Sequence, residues 1–251
     1  MHHTTRAAQD IIFPSIDVDT LDEAKRLMDQ FVGLVSHVKF GLQLATRESW
    51  SAGIAAAHER GFKVFCDTKF KDIPNTVEHA AYALCHHQPD FFTVMADNSY
   101  DALRAARLGV DRAVKDLHYA AKPMVIGVTL LTSISEQECQ RIYGANASVK
   151  TMDFGNAAVA AGFDAIVCSP EELGLFRATA AFDNTLIITP GVRPTWAQAN
   201  DQQRTATPSE ALNRGADMLV IGRPITQPPK EIGSPKEAIK RIIAEIEEVV
   251  S

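Results

Sequence analysis

The stretch FCDTKFKDIPNT, residues 65–76, places Asp67, Lys69, Lys71 and Asp72 within six positions directly after an apolar run. One polar residue would be enough to end a strand, so this density of charge needs another reason. Asp67 and Lys69 are two apart, which puts them on the same face of an extended strand, with Thr68 and Phe70 on the other. A lysine held among acids keeps its charge. Lys69 therefore reads as a cationic proton donor and not as a Schiff-base nucleophile, which needs a neutral amine. The lysine between Asp67 and Asp72 would repel a divalent cation, and no H-x-x-x-H pair or acidic cluster suggests a metal. His86 and His87 read as solvated or helix-terminal, and His118 as a surface residue. A second signal lies in VIGRPIT, residues 220–226. There an apolar strand runs into Gly222 and Arg223, and an arginine fork beside open backbone N–H groups suits a phosphate.

These residues must be positioned by the elements around them. Short apolar runs recur every 25 to 35 residues, at 10–18, 36–41, 62–68, 90–96, 123–131, 164–169, 184–191 and 217–223. Most are almost continuously apolar, as parallel strands covered on both faces are. Amphipathic segments separate them. In 20–32, Leu21, Ala24, Leu27, Met28 and Phe31 share one side. Pro74, Pro170, Pro208 and Pro235 stand where helices should begin, and Gly33, Gly61, Gly162 and Gly215 where they should end. Segment 191–206 is long for a βα loop, and long ordered loops usually carry function. The pattern predicts one α/β domain over 1–251, a (β/α)8 TIM barrel. An open doubly wound sheet would be expected to carry a Gly-rich fingerprint after its first strand, and SIDVDT has none.

A barrel puts functional groups at the C-terminal ends of its strands. Asp17, Lys39, Asp67, Lys69, Arg193 and Arg223 all occupy such places. Lys39, in SHVKFG, would approach the Asp67–Lys69 pair from the neighbouring strand, with Asp72 on the loop beyond. The plain alternative is an ion-pair plug. Buried ion pairs stabilise less well than apolar residues of the same volume, so the cluster favours function.

The bulk numbers agree with a small-molecule enzyme. The 251 residues are 46% hydrophobic and 22% charged, with a formal net charge of −6. That gives no basic footprint for nucleic acid. Cys66, Cys85, Cys139 and Cys168 have neither C-x-x-C nor zinc spacing and read as reduced, buried thiols. The N-terminal residues lack the apolar core of a signal peptide, and no run is long enough to span a membrane. A cytoplasmic location is expected.

FCDTKFKDIPNTV closely resembles the signature of the orotidine 5′-phosphate decarboxylase family. SIDVD, VKFG, VTLLTS, TPGVRP with NDQQR, and VIGRPIT resemble its other motifs, in order along nearly the whole chain. D-x-K-x-x-D alone is shared by a wider group of phosphosugar enzymes, whereas its extension to D-I-P-N-T with the arginine motifs is far more specific. The resemblance implies a (β/α)8 homodimer that decarboxylates orotidine 5′-monophosphate in UMP synthesis without metal or organic cofactor. Lys39, Asp67, Lys69 and Asp72 match the family's catalytic array, with Lys69 at the proton donor. Asp72 and Thr76 match positions that reach the neighbouring subunit's site, which implies shared active sites. Asp17, Lys39, Ile73, Thr76 and Thr132 match contacts to the nucleoside portion, and Arg193, Gln202, Gly222 and Arg223 match the phosphate grip. Met95 stands where many bacterial members have histidine, and Lys71 has no assigned role and reads as solvated. Two rivals remain. One is a magnesium-dependent phosphosugar enzyme of the wider group, and the other is a silent nucleotide-binding barrel.

Overall fold

The structure, a computed structural model, describes residues 6–119, 121–197 and 205–250. Eight strands form, one on each apolar run: β1 (Ile12–Ile16), β2 (His37–Phe40), β3 (Lys63–Phe70), β4 (Phe91–Met95), β5 (Met124–Val128), β6 (Ala165–Val167), β7 (Leu186–Thr189) and β8 (Met218–Ile221). All neighbours pair in parallel. β8 returns to β1 through Ile12↔Leu219, Phe13↔Val220 and Pro14↔Ile221, so the sheet is a closed barrel and not an open one.

The described helices are α1 (Ala8–Ile11), α2 (Leu21–Phe31), α3 (Leu42–Arg47), α4 (Trp50–His58), α5 (Pro74–Cys85), α6 (Tyr100–Leu117), α7 (Glu136–Tyr143), α8 (Ala147–Ala160), α9 (Leu173–Arg177), α10 (Pro208–Asn213), α11 (Arg223–Thr226) and α12 (Pro235–Val250). Their ends follow local chemistry. Thr20 and Glu23 form a capping box on α2, which satisfies two backbone donors reciprocally. Pro74 and Pro208 open α5 and α10, where the missing N–H removes nothing from the helix. Pro170 departs from expectation: it lies in a turn, and α9 begins three residues later. Gly33, Gly61, Gly162 and Gly215 all take the left-handed conformation that stops a helix.

Burial divides into two layers. The larger core lies between the barrel and its helices, and includes Ala24, Met28 and Phe31 of α2, with Leu21 and Leu27 packed against it. A smaller one fills the barrel itself, with Phe13, Phe65, Phe91, Ile126, Ala165, Ile188 and Met218. The ring of His37 completes this plug against Phe13 and Phe91. Burial pushes its pKa down to about 4, so His37 is neutral there. All four cysteines are buried free thiols. Among the described residues no helix is long and apolar enough to cross a membrane.

Candidate active site

Side chains alternate along a strand, so the residue two beyond a barrel-filling one also faces the axis, one layer higher. Above Phe13 stands Ser15, above His37 stands Lys39, above Phe65 stands Asp67, and above Phe91 stands Thr93. The lower layer is apolar or aromatic and the upper one is polar. Four adjacent strands thus turn from packing to chemistry at the same height, near their C-terminal ends.

Asp67 is the centre of the cluster. Its Oδ2 lies 2.6 Å from Lys69 Nζ and 3.3 Å from Lys39 Nζ. Its Oδ1 accepts a hydrogen bond from Thr93 Oγ1 at 3.0 Å. Lys39 Nζ is also 3.7 Å from Asp17 Oδ1, and Ser15 Oγ donates to Asp17 Oδ2 at 2.7 Å. Burial alone would raise the pKa of Asp67. Lys39, Lys69 and the Thr93 hydroxyl outweigh it and hold the carboxyl at about 2. Burial likewise works against charge on Lys39, and Asp67 and Asp17 override it, leaving its pKa above the usual lysine value. Asp67 and Lys39 are therefore both ionised at neutral pH. Two ammonium groups on one carboxylate oxygen present a like-charge barrier to any divalent cation.

Asp67 and Lys69 do come together, although not through a regular strand. The β3–β4 ladder passes from Cys66↔Phe92 to Phe70↔Val94, so β3 carries two extra residues across that gap. Lys69 has φ +49°, in the left-handed region. For a residue with a Cβ this costs about 1–3 kcal/mol, and such strain persists where the surroundings over-determine it. The kink re-aims the side chain, as bulges beside functional sites do. The expectation from simple alternation thus has the right contact and the wrong backbone.

Two cavities meet at the array. One, of about 150 Å³, is bounded by Lys39, Asp67 and Lys69 on one side and by Val128, Leu130, Val167 and Val220 on the other, with Thr132 at its wall. The second, of about 510 Å³, extends from Asp17, Lys39 and Asp67 to Arg193, Gly222 and Arg223. Lys39, Asp67, Pro190 and Val220 line both. Burial and then the nearby Arg223 charge push the pKa of Arg193 down, which marks a pocket where two guanidinium groups repel each other and favour an anion. A Cβ on Gly222 would meet only Ser15 Cβ at 3.5 Å, so the missing side chain leaves cavity space and not protein space. The two ends of the 191–206 segment are pinned together. Val192 bridges Ala206, and Arg193 N donates to Ala206 O at 2.8 Å. Gln202 lies outside the described residues.

Asp72, Ile73 and Thr76 do not join this cluster within one chain. All three are exposed at the start of α5, and Asp72 Oδ1 accepts from Ile73 N at 2.7 Å. Lys71, read from sequence as solvated, is exposed and also forms an ion pair with Asp97, whose Oδ2 accepts from Tyr143 OH at 3.0 Å. Met95 is buried at the end of β4, and the array forms without it. The sequence reading missed Thr93, Ser15 and Gly41. Inward parity on β4 and β1 would have found the first two. Gly41 matters because a Cβ there would fall 2.7 Å from Asp17 Oδ1.

A model of the "Orotidine 5'-phosphate decarboxylase / HUMPS family" matches residues 11–242. The orotidine 5′-phosphate decarboxylase of Heliobacterium modesticaldum is 40% identical over 246 residues, covering 96% of this chain and 97% of that protein. The Nostoc enzyme of the same name is 37% identical, covering 97% and 100%. Among solved structures, an orotidine 5′-phosphate decarboxylase from Lactobacillus acidophilus matches with a TM-score of 0.79 at 27% identity, covering 94% of this chain and 98% of that one. An uncharacterized conserved protein from Geobacillus kaustophilus matches with a TM-score of 0.78 at 26% identity, covering 94% and 99%.

Proposed function

The chain belongs to the orotidine 5′-phosphate decarboxylase / HUMPS family and is a decarboxylase, and we propose that it converts orotidine 5′-monophosphate to UMP and CO2 with a lysine–aspartate array and no metal or organic cofactor. The observation that carries the mechanism is the position of Lys69 Nζ, 2.6 Å from Asp67, where a small, mainly apolar cavity meets a larger polar one.

In this reading each part of the substrate has a place along the two cavities. The flat pyrimidine fits the small cavity, beside Thr132. The ribose lies against Asp17 and Lys39. The phosphate sits between Arg193 and Arg223, near the backbone of Gly222, with Gln202 as a further contact. The bond from C6 to the carboxylate carbon breaks, CO2 leaves, and the electron pair stays on C6. The fixed ammonium of Lys69 stabilises that charge as it forms and then gives C6 a proton. Asp67 holds this ammonium in place and is itself held by Lys39, so the opposite charges are paired before substrate arrives. Preorganisation of this kind leaves little rearrangement for the reaction step.

Asp72, Ile73 and Thr76 complete the partner's site in a homodimer. Their exposure on one chain, next to a signature that otherwise points inward, supports this reading. The phosphate lies away from the reacting carbon, so its binding energy serves to hold the substrate in a dry site.

The test is an absorbance assay of orotidine 5′-monophosphate turnover in excess chelator. Steady conversion to UMP is expected. Turnover that vanishes with chelator and returns with magnesium would move the chain to the metal-dependent branch of the wider group. Binding of UMP without any CO2 release would make it a silent binder.

A further inference from the structure

We infer that Thr93 is a positioning residue of the reaction, because its hydroxyl is the link that fixes both the backbone of Lys69 and the carboxylate of Asp67. This rests on the decarboxylase reading above and adds a residue to it.

Four features of the molecule support this role. Thr93 is fully buried and faces the barrel interior on β4, one layer above the Phe91 ring. Its Oγ1 donates to Asp67 Oδ1 at 3.0 Å and accepts from Lys69 N at 2.8 Å, so a single hydroxyl holds both members of the acid–base pair. Its carbonyl accepts from Thr68 Oγ1 at 2.6 Å, which fixes the residue between them. Lys69 itself is left-handed at φ +49°, at the point where the β3–β4 ladder is interrupted.

Each observation bears on the next. The interruption takes the regular strand partner from the N–H of Lys69, and a donor left without a partner would favour relaxation of the kink. The Thr93 hydroxyl supplies that partner. The same hydroxyl has one proton, and with the acceptor role filled by Lys69 N–H, that proton goes to Asp67. A carboxylate with one oxygen tied to Thr93 presents its other oxygen to the two lysines in one orientation. Without this link Lys69 can return to an extended backbone, which turns its ammonium away from the carbon that needs it. The proposed substrate-binding residues lie on other strands and loops, and Lys39 is joined to Thr93 only through Asp67.

The test compares Thr93→Val, which keeps the shape and removes both hydrogen bonds, with Thr93→Ser, which keeps the hydroxyl. In Thr93→Val, kcat is expected to fall about 10- to 100-fold, the scale of a misplaced reacting group, while KM and UMP affinity stay within about threefold. Thr93→Ser should recover most of kcat. A crystal structure of Thr93→Val should show Lys69 outside the left-handed region or its ammonium away from Asp67. If Thr93→Val does not fold, Thr93→Ala is read in the same way. The inference is overturned if the hydroxyl-free variant keeps wild-type kcat, if the serine variant is equally impaired, or if Lys69 keeps its conformation without the hydroxyl. A wild-type protein that does not turn over orotidine 5′-monophosphate defeats the functional reading instead, and the Lys69 conformation in the variant still decides the role of Thr93.

Discussion

At the scale of single residues, the site depends on how little room each charge has. Lys39 is buried and remains charged because Asp67 and Asp17 face it, and Asp67 stays ionised because two lysines and Thr93 face it. Gly41 is part of this economy. A methyl group there would collide with Asp17 Oδ1 at 2.7 Å and approach Lys39 Nζ at 3.6 Å. Asp17 is half exposed and can swing away, so Gly41→Ala should spare the fold and damage the site. We expect KM for orotidine 5′-monophosphate to rise about tenfold, with little change in Tm, because a displaced Asp17 would lose its proposed polar contact to the ribose. An unchanged KM would show that Asp17 does not contact the substrate from this position. The sequence made Asp17 and Lys39 visible through their places at strand ends. It could not show Gly41 as a spacer, because that role depends on a side chain 24 residues away.

At the scale of elements, each strand end carries a separate task. β3 kinks to present Lys69, β4 braces the kink through Thr93, and the loop after β3 is tied down by Lys71, Asp97 and Tyr143. This last tie joins the loop holding Asp72 to α7, and it gives the fourth charge of the opening stretch a structural role. Arg193 follows β7, and Arg223 follows β8 at the start of α11. Arg223→Ala should raise KM for the phosphorylated substrate about 10- to 100-fold, as expected for lost charge-assisted hydrogen bonds. Weak turnover of the phosphate-free nucleoside should change little. Equal losses on both substrates would rule out a phosphate contact. The eight strands were legible because apolar runs and Gly/Pro punctuation report burial and chain reversal directly. The kink at Lys69 was not. Nothing in T-K-F marks a left-handed lysine, since its cause lies in the ladder with β4 and in a threonine hydroxyl 24 positions on.

At the scale of the whole molecule, closure of the barrel gathers charges from β1, β2 and β3 and arginines from β7 and β8 around one opening. One chain nevertheless leaves Asp72, Ile73 and Thr76 facing outward. Composition and periodicity gave the architecture, and only resemblance to a family suggested that Asp72 and Thr76 serve another copy. A monomer's own contacts cannot display a site shared between two. In the proposed mechanism Lys69 of one chain performs the decarboxylation with Asp72 supplied by its partner. The most direct measurement assays Lys69→Ala and Asp72→Ala proteins alone and then mixed under subunit exchange. Each alone should be inactive, while Lys69→Ala remains folded. The mixture should regain about a quarter of the wild-type rate, because half of the dimers are hybrids and each hybrid has one intact site of two. A Lys69→Ala protein with near wild-type turnover, or a mixture that exchanges subunits and recovers nothing, would contradict the account.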